Sequence, residues 1–231
     1  MEMFGCSFSF HLDVIASAIV DAVRLAVEDV MPEIMADYSL QERNGYGQFR
    51  WNVIIAQLRE KCQHLGWLEL GICPRGGWKT PVLFHPTSRN IITLMREDTF
   101  CRVQRRTDKG THYLCGGSSF NQNVEAQHEQ LELCLPGISP ENEQWVARSR
   151  EELAHAVCAD VGEIEGHILV LFDVHDDKLL TVRAVRLTRD LAISTEEEDW
   201  SKYIRLPYSA TKAVEPQCNA EEDEDLLVEL L

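Results

Sequence analysis

Cations are concentrated in one stretch of an otherwise acidic sequence. Between Arg75 and His112 the chain places eight basic residues (Arg75, Lys79, Arg89, Arg96, Arg102, Arg105, Arg106, Lys109) against three acidic ones, while the whole chain carries a net charge of −16. Guanidinium and ammonium groups held close together attract anions, and each adds charge-assisted hydrogen bonds to phosphate oxygens. Arg75, Lys79, Arg96, Arg102, Arg105 and Arg106 are therefore the candidate anion-binding residues. The competing reading is a solvated face whose cations pair with the acidic remainder, the usual fate of a charge run. The turn Cys73-Pro74-Arg75-Gly76-Gly77-Trp78-Lys79 offers backbone N–H groups for an anion-binding nest. It lacks the GxxxxGK[ST] spacing and no helix follows the lysine, so it is not a phosphate-binding P-loop. A tight β-turn with exposed cations is the simpler reading.

Other chemistry-bearing residues fail on position. The order helix, three strands, helix resembles the opening of restriction-endonuclease-like cores, which need carboxylates and a lysine on the second and third strands to hold a metal and activate water. Here those strands read PVLFHP and IITLMRE and lack the set. Asp176-Asp177-Lys178, with Asp173 nearby, has the right residue types but sits at a hairpin turn, where such residues are expected to be solvated. Cys62, His64, Cys73, His85, Cys101, His112 and Cys115 could ligate zinc, yet none of them has CxxC or HxxxH spacing. GxSxG, HExxH and GxGxxG are absent, and nothing selects a cysteine–histidine pair. No catalytic residue, metal ligand or cofactor is assigned, and the balance leans away from an enzyme.

The surrounding periodicities say what must position the cations. Leu12, Ile15, Ile19, Val23, Ala26, Val30 and Ile34 recur at helical spacing, with Asp13 as a plausible cap and Pro32 ending or kinking the helix at Met31. After a polar loop over 39–48, a second helix aligns Trp51, Ile54, Ile55, Leu58, Cys62 and Leu65, with Gly66 as its stop. Trp67–Cys73, Pro81–His85 and Ile91–Met95 form an antiparallel three-strand meander joined by Gly-Gly and Pro/Asn turns. Glu97 and Asp98 open a helix over Thr99–Thr107, where carboxylates suit the positive end of the dipole. The pattern weakens over 110–137, though Tyr113-Leu114-Cys115 is a short apolar piece. A helix then starts at Pro140 and turns Trp145, Leu153 and Val157 inward. His167–Val174 and Leu179–Leu187 make a hairpin, its first arm apolar enough to be central. Glu196–Ile204 reads as a last short helix docked through Trp200, Tyr203 and Ile204.

The expected fold is therefore α+β, a mixed or antiparallel sheet flanked by helices. Three parts are expected: an N-terminal helical segment (1–38), a core domain (49–207) and an acidic tail (208–231). The tail carries seven acidic and no basic residues from Glu215 onward, and Leu227, Leu230 and Leu231 have the LxxLL spacing that sets leucines on one side of a helix, making them the candidate partner-binding residues. Eight scattered cysteines without paired spacing suit reduced, buried thiols, and no run of 18 uncharged apolar residues exists to span a membrane. With no basic, apolar leader at its start, the chain is expected to be cytoplasmic.

Leu94-Met95-Arg96-Glu97-x-x-Phe100, His112-Tyr113-Leu114, the hairpin, and Trp200-Ser201-x-Tyr203-Ile204 together resemble an uncharacterised family of bacterial and phage proteins over residues 49–204. The resemblance implies a prokaryotic or phage cytoplasmic protein and supplies no activity. The leading expectation is a non-enzymatic acidic interaction protein with a protein partner, a regulator or inhibitor of a bacterial defence or toxin system, presenting carboxylates where phosphates would sit. The alternative is a binding domain or enzyme for a phosphate-bearing ligand, nucleotide or nucleic acid, held by the basic stretch. Homo-oligomerisation is compatible with either.

Overall fold

The computed structural model describes residues 9–39, 45–75, 78–106, 109–122, 124 and 140–204. The candidate partner-binding leucines, the Gly76-Gly77 turn and the acidic tail lie outside them.

The first helix, α1 (Asp13–Arg24), continues through a π-helical turn (Leu25–Val30) into α2 (Met31–Asp37). The irregularity comes before Pro32, not at Met31. A proline has no N–H for the carbonyl four residues back and its ring crowds that carbonyl, so widening the preceding turn relieves the clash without ending the helix. Asp13 is not the cap: it is the first helical residue, and its carboxylate accepts the Tyr203 hydroxyl. Next comes α3 (Tyr46–Gln63), which begins inside the stretch expected to be loop and buries Ile54, Leu58 and Cys62.

Strands β1 (Glu69–Arg75), β2 (Trp78–His85) and β3 (Asn90–Arg96) form the expected antiparallel meander. The chain then leaves the sheet through α4 (Glu97–Gln104), α5 (Tyr113–Ser118) and α6 (Pro140–Ala156). It returns as β4 (Gly166–His175) beside and parallel to β3, and finishes the sheet with β5 (Lys178–Leu187) and β6 (Ile193–Asp199). The sheet is mixed, six strands in sequence order.

Helices cover both faces of the sheet. Ile168, Val170 and Phe172 of β4 join the core made with α1 and α3, while Leu169 and Leu171 join Phe100, Val103 and Leu114 of α4 and α5. A strand buried on both sides is apolar along most of its length, which is why β4 does not alternate. On the second face a further cluster packs Leu153 and Ala154 of α6 against Cys73, Val82 and Ile91.

The last stretch corrects one expectation. Residues 193–199 are an edge strand, and only Ser201–Tyr203 forms a single 3-10 turn. Glutamates suit a helix in isolation. Here Glu197 accepts from Arg183 at 2.8 Å and Glu196 pairs with Arg186 at 2.9 Å, so arginines of β5 neutralise the acidic strand beside them.

Candidate functional site

Beyond the C-terminal end of β3 lies a cleft of about 500 Å³. The carboxyl ends of parallel strands in open sheets are common ligand sites, because the helices diverge there and leave a crevice. Each wall comes from a different element. β2 brings Lys79 at its start, β3 ends in Arg96, α4 projects Arg102, and Arg106 follows that helix. Trp51 of α3, Trp78 of β2, and His112 and Tyr113 at the start of α5 add rings to the same cleft.

Four of the six cations singled out in the sequence thus share one cavity: Lys79, Arg96, Arg102 and Arg106. Arg105 is exposed and is not among the lining residues. Arg75 ends β1 opposite Trp78 in the register, with its side chain outside the described set.

Asp98 offsets part of the local charge. Asp98 lies 3.4 Å from Arg96 and 3.9 Å from Arg102, whose guanidinium also donates to Thr99 Oγ1 at 3.1 Å. Ion pairs this exposed contribute only about 0–1 kcal/mol, so a phosphate can compete for the same guanidiniums. Arg96 lines the cleft with its side chain only about one-third exposed, and its Nε is enclosed without a hydrogen-bond partner among the described residues.

The position of α4 is fixed from behind. Arg183 of β5 is held at 3.1 Å and by a second, shorter contact to the Glu97 carboxylate, and also grips Glu197. Those carboxylates hold the Arg183 guanidinium charge above its ordinary pKa, outweighing the burial that opposes it. Glu97 opens α4, so this clamp anchors the N-terminal end of the helix that carries Arg102.

The aromatic residues were missed as site members by sequence reasoning. Trp78 is 53 % exposed at the mouth, whereas Trp51 is half-buried with its ring edge-on to Phe172 at 5.8 Å. His112 and Tyr113 form a tilted pair with centroids 4.7 Å apart. His112 also caps α5, its Nδ1 accepting the Leu114 N–H at 3.3 Å. The alternation of Trp and Lys at 78–79 was the only available hint, and it was read as turn chemistry.

The residues weighed for metal chemistry have other surroundings. Among the described residues no group of three or more His, Cys, Asp and Glu side chains is placed to hold a metal ion. Asp177 accepts the Tyr46 hydroxyl at 2.7 Å and lies 3.6 Å from Arg50, which ties the β4–β5 turn to α3. Cys62, Cys73 and Cys115 are buried among apolar neighbours, and burial pushes the Cys62 thiol up to about 11. No helix among the described residues is long and apolar enough to cross a membrane.

Comparison with curated proteins and with solved structures returns no match. A protein-family profile described as "Family of unknown function (DUF5986)" matches residues 8–230, nearly the whole chain, and the chain belongs to that family.

Proposed function

We propose that the cleft binds a ligand carrying both phosphate and a planar ring, the nucleotide class. The observation that supports this most is co-location: Lys79, Arg96, Arg102 and Arg106 face the same cavity as Trp78, His112 and Tyr113. A cation cluster alone fits any anion. Rings in the same cavity add stacking that inorganic phosphate cannot use. The chain's acidity argues for a local site, because a surface with net charge −16 repels polyanions except where cations concentrate.

Thermal denaturation in the presence of nucleoside mono-, di- and triphosphates tests this. A ligand at a hundred times its Kd stabilises by about 2.7 kcal/mol, a rise in Tm of roughly 5–10 °C for a domain of this size. Arg96→Ala should reduce affinity about tenfold or more, since a charge-assisted hydrogen bond contributes about 1.5–3 kcal/mol. Absence of any shift with every phosphate compound would discard the proposal.

A second reading treats the chain as an acidic interaction protein that regulates or inhibits a bacterial defence or toxin system. Its support is the net charge and the acidic, leucine-bearing end with Leu227, Leu230 and Leu231. The two readings separate on deletion of that end, as set out in the Discussion.

A further inference from the structure

The central cleft is not isolated. A second cavity, of about 220 Å³, is lined by Gln48 and Asn52 and shares Trp51, Trp78 and Lys79 with the first. A third, of about 550 Å³, shares His112 and Tyr113 and extends to Trp145, Arg148 and Ser149 of α6. The shared residues set the three cavities side by side, and each compartment holds at least one ring and one cation: Trp78 with Lys79, the arginines with Tyr113, and Trp145 with Arg148.

We infer that the ligand is a single-stranded nucleic acid occupying all three compartments, an inference that rests on the nucleotide reading of the central cleft. A pocket of about 300–1,000 Å³ accommodates one small molecule, so three adjacent compartments exceed what a mononucleotide fills. Repetition of ring plus cation matches a strand, in which each nucleotide brings one stackable base and one phosphate. A duplex offers no exposed base faces to Trp78, Tyr113 or Trp145, and its denser charge meets the acidic remainder of the surface. Arg148 is 79 % exposed and bonds Glu152 at 3.0 Å one helical turn away, a solvent-exposed pair that a phosphate can displace.

Tryptophan-fluorescence titration of the full chain tests the inference with thymidine 5′-monophosphate, dT4, dT12, an abasic strand of twelve units and a twelve-base-pair duplex. Affinity should rise at least tenfold from the monophosphate to dT12, and log Kd should change with log salt by about 0.7 per phosphate neutralised, a slope near 3 in all. Arg148→Ala and Trp145→Ala should each weaken dT12 about fivefold or more while leaving the monophosphate unchanged. The arginine variant alters an exposed side chain, so its result does not depend on folding. Equal affinity for the monophosphate and dT12 overturns the strand and leaves the nucleotide reading intact. An abasic strand or duplex binding as tightly as dT12 also overturns it. Binding of none of the probes removes both.

Discussion

His167 shows how one residue couples burial to acid sensitivity. Its ring is fully buried on β4, with Nε2 2.8 Å from Thr93 Oγ1 and Nδ1 without a hydrogen-bond partner among the described residues. Burial, with the Arg186 cation adding to it, pushes the imidazole pKa down to about 3. The unfolded chain takes up a proton near the ordinary value of about 6.5, so between these values it binds more protons than the fold does. Stability is then fully present above about pH 6.5 and falls as the pH drops towards 3, by on the order of 4 kcal/mol. Urea denaturation of the protein and of His167→Gln across this range checks the sign. The variant should be less stable at neutral pH yet have a shallower slope, and parallel slopes would show that carboxylates, not His167, set the acid limit.

At the scale of elements, α5 depends on two glycines in mid-helix, where glycine is normally unfavourable by about 1 kcal/mol. A Cβ on Gly116 would come within 2.6 Å of Ser149 on α6, and one on Gly117 within 2.6 Å of the His167 ring. The pair lets α5 sit against both α6 and the sheet, which in turn holds His112 and Tyr113 at the cleft. Gly117→Ala should cost about 1–3 kcal/mol through overpacking. Gly162→Ala, with no atom within 4 Å of the added carbon, should stay within about 0.5 kcal/mol. Calorimetric Tm values for the two variants make the comparison. A Gly117→Ala protein as stable as the parent would mean that α5 can shift without loss.

At the scale of the molecule, charge separation is the organising feature: cations line one groove while the chain as a whole is strongly acidic. If the cleft binds phosphate as proposed, the seven carboxylates from Glu215 onward would compete for it. Deleting residues 215–231 should tighten nucleotide and oligonucleotide binding several-fold at low salt, with the gain shrinking as salt screens the competition. Anisotropy titrations of the two proteins at 50 and 300 mM salt measure this. If the terminus instead contacts a protein partner, the deletion should abolish capture of that partner and leave ligand affinity unchanged.

Much of this fold was written in local pattern. Helical periodicity placed α1 and α3, Gly-Gly and Pro/Asn turns placed β1–β3, and continuous apolar character marked β4 as central, because each signal needs only neighbours within a turn or a hairpin. The cation cluster was legible for the same reason: its four cleft-lining members fall within 28 residues, from Lys79 to Arg106. What the sequence could not reveal depends on partners distant along the chain. Residues 196–199 looked helical until Arg183 and Arg186 drew their glutamates into an edge strand. The pattern weakens over 110–137 because Gly116 and Gly117 are explained only by Ser149 and His167, which come to rest against them. The cleft itself unites α3, β2, β3, α4 and α5, and residues as far apart as Trp51 and Tyr113 share its walls only after the sheet forms. The sequence determined which groups would be available for chemistry, because composition and local spacing are carried by the chain. Tertiary structure alone decided that rings would stand beside cations, because that juxtaposition is made by long-range packing.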